Sequence, residues 1–177
     1  MQRMGVFGAG SIGMYLGGCL QAADATVVYV GRPSMAQTLQ AHGLRLTDYL
    51  GRDHHLDAAA LSFSTTADAL ADCDVVLVTV KSAATAAAAA VLAAHLRPGT
   101  LVISFQNGVR NAEVLRAAMP AQTVLAGMVP FNVLNCGDGR FHQGSAGVLD
   151  VAADAGLAGC AALFASGQSA FHLAVAR

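Results

Sequence analysis

Apolar runs and small-residue stretches alternate along this chain and predict strands and helices in turn. Arg3 to Phe7 is a short apolar run ended by Gly8, and Ser11 to Ala22 follows at helical length. Thr26 to Val30 is rich in β-branched residues and closes at Gly31. Pro33 suits the first turn of a helix that continues from Ser34 to Ala41 before Gly43 stops it. From Leu44 to Leu61 the pattern is irregular. Leu44, Leu46 and Leu56 suggest short paired strands joined through Gly51, Arg52 and Asp53.

Regular alternation resumes at Thr66 to Ala71, one helical turn. Val75 to Val80 reads as a strand buried on both faces. Ser82 is expected to cap an Ala-rich helix reaching Leu96, ended by Pro98 and Gly99. Thr100 to Ser104 is a further buried strand, and Asn111 to Met119 a helix with Asn111 as N-cap and Pro120 as stop. Thr123 to Val133 reads as one longer strand region. Asn135 to Gly139 forms a hairpin turn into Phe141 and His142. Gly147 to Val151 is a strand, Ala158 to Ser166 a helix and Phe171 to Val175 a last strand. Such alternation means βαβ units: a Rossmann-like, doubly wound, mostly parallel α/β sheet with added antiparallel strands.

Composition narrows the class. The 177 residues are 55% hydrophobic and 12% charged, which excludes disorder as the main state. Alanine supplies about a fifth of the chain, so its mean hydropathy overstates its greasiness. The longest apolar stretch, Ala83 to Leu96, is too short to span a bilayer. The ten basic residues are scattered and the formal net charge is -1, which argues against nucleic acid and membrane as partners. Cys19, Cys73, Cys136 and Cys160 lie far apart with no C-x-x-C pair, the pattern of a reduced, cytoplasmic thiol set. No His, Cys or acid cluster has metal-ligand spacing, so no metal is expected.

Chemistry enters at the first turn. Gly8-Ala9-Gly10-Ser11-Ile12-Gly13 is G-x-G-x-x-G, placed directly after a strand and opening a helix. Gly8 permits the tight turn, Gly10 lets backbone approach a diphosphate, and Gly13 lets helix and sheet close up. The helix N-terminus then faces the anion. At the end of the second strand no carboxylate stands ready for a ribose hydroxyl. Arg32 follows Gly31 there, and a guanidinium can grip a 2′-phosphate through two N–H donors, so the cofactor expected is NADP(H) rather than NAD(H). A solvated loop arginine is the competing reading. Lys81 and Asn107 each follow the C-terminal end of a buried strand, where such sheets place their ligand crevice. Either could polarise a carbonyl or orient a ribose. The plain alternatives are a surface lysine and a turn asparagine.

Together these segments resemble the 2-dehydropantoate 2-reductase, or ketopantoate reductase, family. The resemblance rests on G-A-G-S-I-G-x-x-x-G-G from Gly8, V-G-R-P from Val30, L-V-T-V-K-S at 77–82 and Q-N-G-V at 106–109. Leu44 to Leu46 and Gly127 to Asn132 fit the same spacing. It implies NADPH-dependent reduction of 2-dehydropantoate to (R)-pantoate, on the route to pantothenate and coenzyme A. Gly8, Ala9, Gly10, Ser11, Ile12 and Gly13 would hold the diphosphate and Arg32 the 2′-phosphate. Lys81 and Asn107 would act beside the ribose and nicotinamide, Asn107 also touching the small 2-keto acid substrate. Near Asn132 and Val133 the sequence departs from the family pattern, and no role is carried over there.

The resemblance covers only the cofactor-binding half of such proteins. Residues 1–177 are therefore expected to be a dinucleotide-binding domain, with the C-terminal substrate and catalytic domain not present in this chain. Hydride transfer to a ketone needs a proton donor. The family uses a lysine of its C-terminal domain, and Lys81 is the one lysine here. The isolated piece is expected to hold cofactor but turn over little substrate, and to associate through an uncovered apolar face, as a homodimer or with its own C-terminal domain. Other expectations remain open: a different NADP-dependent 2-keto or 3-hydroxy acid reductase, or a non-catalytic NADP-binding regulatory module.

Overall fold

The computed structural model describes residues 2–108, 110–158, 164 and 173–176. Its first half follows the expected order through β1 (Arg3–Phe7), α1 (Ser11–Ala22), β2 (Thr26–Val30), α2 (Pro33–His42), β3 (Leu44–Asp48) and β4 (Asp53–Leu56), and adds a strand not expected from sequence, β5 (Ser62–Ser64). Next come β6 (Val75–Val78), α3 (Thr85–His95), β7 (Leu101–Ser104), α4 (Arg110–Ala118) and β8 (Thr123–Met128). The described chain ends with β9 (Val133–Asn135), β10 (Arg140–Gln143), β11 (Leu149–Ala152) and β12 (Leu173–Ala176).

Eight strands form the main sheet in the order β12-β11-β8-β7-β6-β1-β2-β5. Every neighbouring pair is parallel except β11 with β8. The chain runs outward from β1 in both directions, to β2 on one side and to β6 and β7 on the other. That reversal leaves a crevice above the C-terminal end of β1. All four residues of β6 and of β7 are buried. Val75 and Leu77 face one core, with α1 and α2, while Val76 and Val78 face the other, with α3 and α4.

A second sheet, in the order β4-β3-β10-β9, packs on the far side of α1. Helix α1 is thus buried from Gly13 to Leu20. Its glycines make the fit: a Cβ on Gly17 would stand 2.5 Å from the Tyr29 ring, and one on Gly18 would stand 2.7 Å from the Leu46 side chain. The expected hairpin into Phe141 is present, as β9 and β10. The parallel pairing of β10 with β3, Phe141 opposite Leu46, is not visible in local pattern.

Several boundaries differ from expectation. The strand from Val75 stops at Val78, because Thr79 turns its hydroxyl onto the Gly8 carbonyl at 2.7 Å and the chain leaves the sheet. The region from Thr123 breaks at Met128: Pro130 has no N–H for a ladder, and Val133 to Asn135 join the other sheet. The strand expected from Gly147 begins at Leu149, since Gly147 packs on Pro130 and Phe131. Neither Ser82 nor Asn111 is an N-cap. A 3-10 turn over Ser82–Ala84 precedes α3, and Asn111 lies inside α4. The helix expected over 158–166 lies mostly outside the described residues, as do Phe171, Cys160 and His172.

Candidate functional site

The turn after β1 is built by close approach. Gly8 sits at φ +106°, and a Cβ there would meet the Val80 nitrogen at 2.7 Å. Its N–H and that of Ala9 both donate to the Val30 carbonyl at 3.0 Å, which ties the turn to the end of β2. A Cβ on Gly13 would press on the Gly8 carbonyl oxygen and stand 2.5 Å from Thr79 Oγ1. Gly10 is the opposite case. It is exposed, and a Cβ there would meet nothing within 4 Å. Gly10 starts α1 with no side-chain cap, so the first-turn N–H groups have no intrahelical acceptor. The helix dipole adds partial positive charge at the same place.

Beside this turn lies a cleft of about 330 Å³. Ile12 comes from the start of α1, Lys81 and Ser82 from the loop after β6, and Asn107 from the loop after β7. Phe105, Val129 and Phe131 supply apolar wall. Lys81 and Asn107 are exposed. Arg32 stands on the other side of the glycine turn. It is the exposed residue just before α2, with Pro33 at the first helical position. Gly31 seats it there, since a Cβ on Gly31 would lie 2.6 Å from the Ala9 Cβ.

Strand order fixes the sequence of groups along the crevice: Asn107 above β7, Lys81 above β6, the glycine turn above β1, Arg32 above β2. Three strand spacings separate the ends, roughly 14 Å. An extended ligand with a diphosphate at its middle matches that spread: N–H groups in the centre, a guanidinium at one end, an ammonium and an amide at the other.

The family model for ketopantoate reductase PanE/ApbA matches residues 4–156. The chain belongs to the ketopantoate reductase family. The 2-dehydropantoate 2-reductase of Halobacterium salinarum is 33% identical over 171 residues, covering 93% of this chain and 55% of that protein. That of Archaeoglobus fulgidus is 32% identical over 152 residues, covering 81% of this chain and 47% of its own. The crystal structure of a PanE/ApbA family ketopantoate reductase from Ralstonia eutropha superposes with a TM-score of 0.89 at 32% identity, over 99% of this chain and 56% of that one. The chain spans about half the length of the curated relatives it matches.

In this member of the ketopantoate reductase family, the site residues expected from sequence fall into two groups. Ile12, Lys81 and Asn107 share the cleft, and the glycine turn borders it. Arg32 lies outside the cleft, at the end of the neighbouring strand. Sequence reasoning missed the polar residues beneath the loops. Gln106 is buried; its Nε2 donates to the Val80 carbonyl at 2.9 Å and to Thr85 Oγ1 at 2.8 Å. Asn111 Nδ2 reaches the Asn107 carbonyl at 2.7 Å. The available signal was the clustering of Ser, Thr, Gln and Asn at 82–85 and 104–111, which local reasoning assigns to caps. No described helix is long and apolar enough to cross a membrane.

Proposed function

We propose that residues 1–177 form the NADP(H)-binding domain of an enzyme that reduces 2-dehydropantoate to (R)-pantoate, on the route to pantothenate and coenzyme A. The observation carrying this reading is the crevice at the strand reversal, where Gly10 leaves room for a ligand and Arg32 replaces the usual carboxylate. The residues present fit the cofactor. N–H groups of Ser11, Ile12 and Gly13 receive the diphosphate, and Arg32 receives the 2′-phosphate through paired donors. Lys81 and Asn107 hold the ribose and nicotinamide end, with Asn107 offering both donor and acceptor to a 2-keto acid. Bound there, the cofactor supplies a hydride to the keto carbon. Phe105, Val129 and Phe131 keep water from that end of the cleft.

The alkoxide formed needs a proton. We assign its donor to the half of the relatives that this chain does not match, so residues 1–177 alone hold cofactor without efficient turnover. A reducing, cytoplasmic setting follows from this reading, consistent with the buried thiols of Cys19 and Cys73, which lie outside any disulfide.

Calorimetric titration with NADPH and NADH tests the cofactor. Tighter binding of NADPH is expected. Equal affinity for both defeats the 2′-phosphate assignment, and binding of neither defeats the dinucleotide reading. Steady-state NADPH oxidation with 2-dehydropantoate tests the proton donor. Turnover by this chain at the rate of a full-length relative overturns that part.

A further inference from the structure

Lys81 and Asn107 stand on separate loops, yet one buried relay supports both. Ser104 Oγ donates to Gln106 Oε1 at 2.9 Å, and Gln106 Nε2 donates to Thr85 Oγ1 at 2.8 Å. Thr85 Oγ1 donates in turn to Asn111 Oδ1 at 2.8 Å. The two protons of Asn111 Nδ2 are shared among Ser82 Oγ at 3.0 Å, the Asn107 carbonyl at 2.7 Å and the Gly108 carbonyl at 3.1 Å. Ser82 Oγ closes the path onto the same Asn107 carbonyl at 2.8 Å. Every hydroxyl gives its one proton and every amide is used at both ends, so the direction of the relay is set throughout.

We propose that this relay positions the cofactor: Asn111 and Thr85 hold the Lys81 loop and the Asn107 loop in one fixed relation, so that both meet the nicotinamide half together. The inference rests on the cofactor reading given above. Three features support it. Ser104, Gln106, Thr85 and Asn111 are all buried, in a place where apolar side chains of the same size would fill space as well. The carbonyls that the relay satisfies, Val80, Asn107 and Gly108, belong to the two loops where these have left the sheet. Gly108 lies at φ +105°, and the backbone bond across its turn, from the Asn111 N–H to the Gly108 carbonyl, is long at 3.4 Å, so the Asn107 loop draws its shorter bonds from the relay. Asn111 and Thr85 touch neither ligand nor reacting atoms; they are positioning residues.

The discriminating experiment compares two ligands. NADPH engages the whole crevice, whereas adenosine 2′,5′-bisphosphate engages only the glycine turn and the Arg32 side, leaving Lys81 and Asn107 untouched. Asn111→Asp keeps the shape and removes the donors to Ser82, Asn107 and Gly108. It is expected to weaken NADPH about tenfold, as for a buried hydrogen-bonding group left unmatched, while the bisphosphate binds as before. Thr85→Val should repeat the loss and Thr85→Ser should reverse it, which keeps the test decisive if Asn111→Asp does not fold. NADPH affinity unchanged in these variants, or both ligands lost in parallel, overturns the relay as a positioning device. Amide exchange on the ligand-free protein gives a second reading: Asn111→Asp should speed exchange at positions 84 and 111, whose N–H groups bond the Lys81 and Gly108 carbonyls, but not in β6 or β7. Exchange that stays slow at both loops also overturns it. Failure of the unaltered protein to bind either ligand strikes the cofactor reading instead, and the exchange result then still decides whether one relay holds both loops.

Discussion

Thr79 donates its hydroxyl to the Gly8 carbonyl oxygen at 2.7 Å, so the first residue past β6 is stitched to the turn that follows β1. Gly13 lies directly against both groups, with no room for a Cβ. Two adjacent strand ends and the start of α1 therefore form one unit. Gly10, three residues before Gly13, projects out of that unit into open space.

The two glycines should answer differently to the same change. Gly13→Ala forces a methyl against backbone and is expected to cost about 1–3 kcal/mol of stability, as overpacking does. Gly10→Ala has φ -93°, which any residue adopts, and meets no neighbour, so its melting temperature should be unchanged. Its methyl stands where the diphosphate is proposed to lie, and NADPH affinity should fall about tenfold or more. Calorimetry and thermal melts on both variants check this. Full NADPH affinity in Gly10→Ala would remove the diphosphate from that position.

Arg32 should decide between cofactors without touching the fold. It is exposed and makes no side-chain cap bond. Arg32→Asp exchanges a charge-assisted grip for repulsion of a 2′-phosphate, and an NADPH affinity loss of roughly 10–100-fold is expected. NADH binding should hold or improve, since a carboxylate there accepts from the ribose 2′-hydroxyl. The NADPH deficit should shrink as salt is raised, because the site is open to solvent. A deficit equal for NADH and NADPH would reassign Arg32 to the surface.

The glycine turn and the strands around it were legible because they are local. An apolar run, a glycine stop and a small-residue helix lie within thirty residues of one another. Arg32, Lys81 and Asn107 were legible as crevice loop residues because each lies two or three residues past an apolar strand, ending at Val30, Val78 and Ser104, so a boundary error of two residues at Val78 did not move Lys81 off the loop. The second sheet was not, because Phe141 meets Leu46 through a pairing that no short window contains. The strand Ser62–Ser64 is short and half polar, and it forms because the edge of β2 needs a partner. Ser82 and Asn111 read locally as helix caps. Ser82 instead donates to the Asn107 carbonyl on the other loop, and Asn111 bonds back to the Asn107 and Gly108 carbonyls of its own loop and across to Ser82 Oγ; the packing of α3 against α4 makes the two cross-loop bonds available.

Alkali should open the molecule through its buried acids. Burial raises the phenols of Tyr15 and Tyr29 above the ordinary 10.0. Burial likewise raises the Cys73 thiol above its ordinary 9.0. The folded state keeps these protons to higher pH than the unfolded chain does. Their contribution is therefore complete below about pH 9 and is lost as pH rises past the unfolded values toward the raised folded ones. Tyrosinate absorbance followed alongside circular dichroism should show Tyr15 and Tyr29 ionising only as secondary structure is lost. Ionisation of all three tyrosines with the dichroism intact would contradict their burial.

Tyr15 also fastens the second sheet to α1. Its ring packs edge-on to Phe131 with centroids 6.3 Å apart, and its hydroxyl donates to Gln143 Oε1 at 3.0 Å. Gln143 Nε2 in turn donates to the Ser145 carbonyl at 2.9 Å. Tyr15→Phe keeps the ring contact and deletes one donor, leaving the amide oxygen of buried Gln143 without its phenol. The expected cost is about 1–3 kcal/mol, the penalty for a buried acceptor left unmatched. Gln143→Leu in the same background fills the site with an apolar group and should recover part of that loss. Denaturant unfolding of the two single variants and the double closes the cycle. Additive effects, with no coupling between positions 15 and 143, would show that the hydroxyl does not carry the sheet-to-helix junction.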